Sequence, residues 1–364
     1  MLEINPEKYQ TQLAEKLDHL RAEFQHLPLP DIEVHESSPL NYRMRAEFRI
    51  WHEGGKAHFA MNKPGEKKPY IITDFPPGST LINRLMPPLL DAINASTTLS
   101  RRLFSAEFLT TLSGDALITL IYHKPLDEAW QEAARQLQDS LGVPLIGRSR
   151  KQKLVLDRDH VMESLLVSGK EYRYQQVESG FTQPNAEVNQ KMLGWALDRA
   201  EQCENDLLEL YCGNGNFTCV LAQQFERVLA TEISKISVRS AELNLESNGV
   251  ENVTIVRMSS EEFTEALNGV RPFRRLRDID LNSYRFSTIF VDPPRAGLDD
   301  DTVNLAQRFD NIIYISCNPE TLRRNLDTLS ASHEIRDFAV FDQFPYTHHL
   351  ECGAFLTRRD TCRQ

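Results

Sequence analysis

The chain has 364 residues, a formal net charge of -11, 41% hydrophobic and 26% charged residues. This length predicts two domains and the composition is that of a soluble folded protein. The acidic balance excludes a nonspecific nucleic-acid binder with a basic surface all round, but not an RNA enzyme whose cations gather on one face.

No run approaches the roughly 18 consecutive apolar residues of a membrane helix. The N-terminal segment is charged from Glu3 on and lacks a signal peptide's basic start and apolar core, so a cytoplasmic protein with no membrane partner is expected. All six cysteines lie in the second half, Cys203 to Cys362, with no Cys-x-x-Cys pair. Reduced thiols, no metal and no iron–sulfur cluster are therefore expected.

From the N-terminus, Leu13, Leu17, Leu20 and Phe24 recur at helical spacing and predict an amphipathic helix from Glu7 to about Leu27, stopped by Pro28 and Pro30. Next comes a strict alternation: Met44, Ala46, Phe48 and Ile50 on one face, Arg43, Arg45, Glu47, Arg49 and Trp51 on the other. Period two predicts a half-buried strand, with Lys56 to Met61 returning beside it. Leu81–Ile93 and Leu126–Leu141 read as helices, Phe108–Leu112 and Ala116–His123 as a hairpin, and Leu145–Leu156 as a strand pair. This mixture predicts an α+β domain over residues 1–175. Arg43, Arg45 and Arg49 are candidates for phosphate contacts, and Phe104 and Phe108 for base stacking. Lys63, Lys67 and Lys68 add charge in a nearby loop, and Arg148, Arg150, Lys151 and Lys153 form a second basic run. An RNA-binding role for this domain is the expectation.

Residues 176–364 change pattern. Apolar runs at 207–211, 228–231, 253–257, 288–292, 312–316, 338–341 and 353–357 alternate early on with helical stretches. Such alternation predicts a doubly wound, Rossmann-like α/β sheet with ligands at the carboxyl ends of its strands, its last strand antiparallel. The first run leads into Tyr-Cys-Gly-Asn-Gly-Asn (211–216), a turn where Gly213 and Gly215 allow close backbone approach. Glu232 ends the second run about 20 residues on, where a carboxylate binds ribose hydroxyls. A third glycine is missing, as is a Gly-Lys-Ser/Thr, so neither a dinucleotide nor a nucleotide phosphate fits. S-adenosylmethionine, which has no phosphates, fits better.

The fourth run ends in Asp-Pro-Pro-Arg (292–295) and the fifth in Ser-Cys-Asn-Pro (316–319). Cys317 thus stands at the reactive edge, before a helix N-terminus that would favour its thiolate. Glu351 stands just before the final run, behind His348 and His349. A thiolate adding to C6 of a uracil makes C5 electron-rich, and a base must then remove the C5 proton. Cys317, Glu351, Asp292 and Arg295 supply the residue types for this reaction.

Asp-Pro-Pro-Arg, Ser-Cys-Asn-Pro and His-His-Leu-Glu-Cys resemble the signature motifs of the uridine-C5 RNA methyltransferases, and nearly the whole chain resembles the branch acting on bacterial tRNA. The resemblance implies Cys317 as nucleophile and Glu351 as proton acceptor, with Gln183, Tyr211, Asn216, Glu232 and Asp292 lining the cofactor and uracil pocket. It implies 5-methyluridine at position 54 of the tRNA T loop as product, transfer-messenger RNA as a second substrate, and no obligate protein partner. Ribosomal members carry a four-cysteine cluster and an extra barrel, and no cysteine precedes Cys203 here. Two other readings are a different target base, such as cytosine C5, and a tRNA-remodelling protein in which methylation is incidental.

Overall fold

A computed structural model describes residues 4–63, 65 and 68–359; Lys67 and Cys362 lie outside the described residues. The chain divides into two compact units, one of residues 1–37, 165–174 and 187–364, the other of residues 38–164 and 175–186.

The first unit is built on an eight-stranded sheet. In spatial order its strands are Ile32–His35, His333–Phe341, Glu351–Arg358, Asn311–Ser316, Phe286–Val291, Asp206–Leu210, Val228–Thr231 and Val253–Val256. All pairings are parallel except the two made by Glu351–Arg358, which is antiparallel to both neighbours. The seven expected strands are all present, the last antiparallel as expected. The strands around the middle are buried along nearly their whole length because both faces are covered. From Asp206–Leu210 the chain winds outward to Val253–Val256 and then returns to the other side of its starting strand. The gap between Asp206–Leu210 and Phe286–Val291 is therefore the switch point, where this class of sheet holds its ligand.

The eighth strand corrects the expected boundary at residue 175. Ile32–His35 pairs in parallel with Phe338–Phe341, and the helix Tyr9–Glu23 packs Leu20 and Phe24 into the core of this same sheet. The helix ends at Glu23, a turn before the Leu27 to Pro30 stretch that was expected to stop it, and the chain then supplies the sheet's edge strand instead of opening a separate domain.

The second unit has a seven-stranded sheet in the order Tyr70–Ile71, Lys56–Met61, Arg45–Glu53, Leu103–Thr110, Ala116–Tyr122, Leu145–Ser149, Gln152–Val155. The alternation read from residues 44 to 50 holds: Met44, Ala46, Phe48 and Ile50 are buried. Ala46, Phe48 and Ile50 meet apolar residues of the helices Thr80–Ala95 and Glu128–Leu141 in one core. Phe108 belongs to that core, fully buried against the rings of Phe48 and Phe59, so it is not available to stack on a base. Phe108→Ala is expected to cost about 3–5 kcal/mol of stability in urea denaturation.

Among the described residues no helix is long and apolar enough to cross a membrane, and no cluster of His, Cys, Asp and Glu could hold a metal ion.

Candidate active site

The turn after Asp206–Leu210 needs unusual backbone. Tyr211, Gly213 and Gly215 all have positive φ, at 62°, 56° and 80°. Glycine takes such values freely, whereas Tyr211 is held in the left-handed region at a cost. Its hydroxyl shares a 2.6 Å hydrogen bond with Ser260 Oγ, which anchors the ring. A Cβ on Gly213 would project into open space, and one on Gly215 would press on Ala241 at 3.4 Å. The first glycine leaves room for a ligand; the second lets the turn close on the helix Lys235–Ser247.

Glu232 accepts hydrogen bonds from the backbone N–H of Gly213 at 3.1 Å and of Ser234 at 2.7 Å. The carboxylate thus bridges the two strand ends, and its remaining lone pairs can still accept from hydroxyl groups. Asn216 is less free: its amide makes a reciprocal pair with Asn189, each nitrogen donating to the other's oxygen at 2.9 Å. It stiffens the turn more than it offers itself to a ligand. Below the turn, Glu209 and Thr218 are buried, and Glu209 Oε2 and Thr218 Oγ1 have no hydrogen-bond partner. Burial pushes the Glu209 carboxyl up to about 8. Glu209 was not singled out from sequence because it falls inside an apolar run, where a lone acid carries no pattern. Gln183 belongs to the second unit, and its Oε1 is buried without a partner.

The reactive edge is built by strand register. Ser316 pairs with Cys352 across the antiparallel ladder. Cys317 follows Ser316 and Glu351 precedes Cys352, so both stand at the same end of this ladder, close enough for the Glu351 charge to act on the Cys317 thiol. Asp292 ends the neighbouring strand, where Val291 pairs with Tyr314. The Asp-Pro-Pro-Arg loop is then tied to the helix Pro319–Leu329. Asn318 Nδ2 and Thr321 Oγ1 donate to the Arg295 carbonyl at 3.0 and 3.3 Å, and Asn325 bonds both backbone groups of Leu298. Gly297, at φ 75°, closes the loop so tightly that a Cβ would lie 2.9 Å from Thr321 and Asn325.

Cys317 is half-buried, whereas Cys203, Cys212, Cys219 and Cys352 are buried. Its thiol is pushed up to about 11, by burial first and then by the charges of Glu351 and Asp292, with Arg295 pulling the other way. This corrects the expectation that the helix N-terminus would leave a ready thiolate: burial is the largest influence on the thiol, and the neighbouring acids add to it. Glu351 is buried at 4% exposure, and its carboxyl is raised to about 8 by burial and by Asp292. Burial holds Asp292 up to about 7. Two acids facing one thiol in a desolvated edge titrate as a coupled set near neutrality. His348 and His349 both lie exposed in the loop before the strand, and His349 Nδ1 is 3.5 Å from Arg295 Nη2. A cleft of about 570 Å³ opens onto Cys317, Arg295 and His349, with Gln12, Lys16 and His19 from the N-terminal helix on its wall.

The second unit sorts its arginines. Arg45 is spent internally, bonded to Glu107 and to the carbonyls of Glu178 and Gly180. Arg43 donates to the Arg45 carbonyl, and burial lowers its guanidinium. Arg148 pairs with Glu178, and Lys153 with Asp159, so much of the second basic run is neutralised. Arg49 is different: its guanidinium lies 5.5 Å from the Trp51 ring and 5.8 Å from the Phe104 ring. Phe104 in turn stacks on His123 at 4.3 Å. These four line a depression of about 450 Å³ together with Arg101 and Arg102, and no carboxylate lines it. The sequence reading missed Arg101, Arg102 and His123, whose convergence depends on strand pairing. The depression also shows how an acidic chain gathers cations locally.

Doubly wound topology, a glycine turn with a carboxylate on the next strand, and a cysteine and an acid at one end of neighbouring strands together define a Rossmann-like methyltransferase. The tRNA (uracil-5-)-methyltransferase family model matches residues 8–359, and the chain belongs to that family. It is 61% identical over 351 residues to the tRNA/tmRNA (uracil-C(5))-methyltransferase of Cellvibrio japonicus, with 96% of each chain covered. It is 60% identical over 356 residues to the protein of the same name from Teredinibacter turnerae, covering 97% of this chain and 98% of that one. In fold it is similar to the tRNA (uracil-54, C5)-methyltransferase of Pyrococcus abyssi in complex with S-adenosyl-L-homocysteine. That likeness has a TM-score of 0.70 at 20% identity, and covers 96% of this chain and 83% of the other.

Proposed function

We propose that this chain methylates C5 of uridine 54 in the T loop of tRNA through a covalent adduct on Cys317, with S-adenosylmethionine as donor and transfer-messenger RNA as a second substrate. The observation that carries the reading is that Cys317 and Glu351 stand at the same end of paired strands, with the Glu351 and Asp292 charges acting on the Cys317 thiol. The names of the relatives support the RNA class, and the S-adenosyl-L-homocysteine bound to the Pyrococcus abyssi enzyme supports the donor; a tRNA substrate is compatible with the cytoplasmic location expected from sequence.

The glycine turn fits the donor. Gly213 leaves open space, and Glu232 keeps acceptor capacity beside it. When bound, S-adenosylmethionine supplies an electrophilic methyl group. The rest is done by side chains. Cys317 gives up its proton to solvent through the cleft it lines and bonds through Sγ to C6 of the uracil, which places the electron pair on C5 and its conjugated carbonyl. Once C5 carries the methyl group, Glu351 takes the C5 proton, the pair returns to the ring, and the C6–Sγ bond breaks. A carboxyl raised to about 8 is well matched to a base working near neutral pH.

The depression around Arg49 and Phe104 is assigned to an unstacked RNA base, held by ring stacking and guanidinium contacts. Phe104→Ala is expected to raise KM for tRNA about tenfold, the scale of one lost stacking contact, with kcat little changed. Steady-state kinetics on a T-arm transcript would show it.

The test of the reaction itself uses a T-arm RNA with 5-fluorouridine at position 54, which has no C5 proton to lose. Incubated with S-adenosylmethionine, the protein should form a denaturant-stable adduct that peptide mass spectrometry maps to Cys317. No adduct, or one on another residue, would refute the covalent pathway as written.

A further inference from the structure

One buried cation is not accounted for by this chemistry. Lys16, on the helix Tyr9–Glu23, is 8% exposed, and its ammonium has three N–H groups. All three are used: Asp342 Oδ1 at 2.7 Å, the Phe344 carbonyl at 2.9 Å and the His349 carbonyl at 3.1 Å. The acceptors span the loop that joins His333–Phe341 to Glu351–Arg358, and the last of them lies two residues before Glu351.

One turn earlier on the helix, Gln12 holds the same loop. Its Oε1 accepts from the Tyr346 backbone N–H at 2.8 Å, and its Nε2 donates to the Thr347 carbonyl at 3.4 Å. Tyr346 stands at φ 60°, a conformation a tyrosine holds only when its surroundings impose it. Within the loop, Thr347 Oγ1 donates to the Phe344 carbonyl at 2.8 Å and accepts from the His349 N–H at 3.2 Å. The loop is thus a strained turn pinned from one side by the helix. Lys16 and Gln12 also stand on the wall of the cleft that opens onto Cys317 and Arg295.

A buried lysine–carboxylate pair is a poor way to gain stability, because desolvating both ions cancels most of their attraction. Its geometry, by contrast, is demanding, since the three acceptors fix the ammonium from three directions.

We propose that Lys16 is a positioning residue for the methylation reaction, pinning the loop 342–349 so that the Glu351 carboxylate is aimed at the C5 proton. The assignment rests on the covalent pathway proposed above. Asp342 is its counter-ion, and the N-terminal helix belongs functionally to the catalytic edge.

The test compares wild type with Lys16→Met and with the double variant Lys16→Met/Asp342→Leu. The double variant leaves no buried charge unpaired, so its melting temperature should stay within a few degrees of wild type. Its kcat on natural-uridine T-arm RNA should fall tenfold or more, with KM for RNA within about threefold of wild type. A larger fraction of its enzyme should also be trapped as a Cys317–RNA adduct under turnover, because bond formation survives while proton removal slows. That rise is one that a merely structural defect would not produce. Lys16→Arg, which retains a cation, should recover part of the lost turnover. Wild-type kcat in the double variant would overturn the assignment, as would adduct and turnover falling together. The wild-type protein run on 5-fluorouridine RNA separates the two ideas. No adduct there sinks the pathway, whereas an adduct there with an unaffected double variant sinks only the role of Lys16.

Discussion

Cys317→Ala is expected to lose methyl transfer by roughly 10⁴-fold or more, the scale on which removal of a covalent nucleophile acts. No neighbouring cysteine can substitute, since Cys352 is buried in the sheet and Cys203, Cys212 and Cys219 are buried elsewhere. Binding of S-adenosylmethionine, read by calorimetry, should be unchanged, because the glycine turn and Glu232 belong to other strand ends. The fold should change by about 1 kcal/mol or less for the loss of one sulfur at a half-buried position. Transfer of radiolabelled methyl to unmodified tRNA measures the activity; a variant that retains it would mean that C5 is activated without sulfur addition.

Glu351→Gln is the complementary experiment. Turnover should fall by about 10²–10⁴-fold, the range for loss of a general base, while the Cys317 adduct builds up on natural uridine. The pH dependence follows from the raised carboxyl. Only the ionised form accepts a proton, so wild-type kcat should climb through about pH 8 and then level, a rise absent in the variant. Stability runs the opposite way. A carboxyl near 8 in the folded state and near 4 when unfolded binds its proton more tightly in the fold, so stability declines as pH rises between those values. Glu351→Gln removes that penalty and should raise the melting temperature at pH 8 while leaving it little changed at pH 4. A melting curve lowered at both pH values would mean that the carboxylate is held by favourable contacts and not by burial alone.

What the sequence made legible was periodicity and motif. The seven apolar runs, the glycine turn and the three short motifs each concern residues close together in the chain, where a pattern of two or of 3.6 can be counted. The pairing of Cys317 with Glu351 was accessible only as chemistry, since their proximity follows from strand pairing. What stayed hidden depends on long-range closure. Ile32–His35 is a four-residue strand with no alternation long enough to count, and its partner lies some 300 positions away. Lys16 reads as one more polar position on an amphipathic helix until its carbonyl acceptors are brought to it. Arg45 looked like its neighbour Arg49, yet an acid across the sheet neutralises one and aromatic rings flank the other.

The strand Glu351–Arg358 is inserted between two strands made earlier in the chain, antiparallel to both. Ile32–His35 and His333–Phe341 reach the rest of the sheet only through this strand. Removing it would detach both of them along with Glu351, so the sheet's edge and the candidate base depend on the same eight residues.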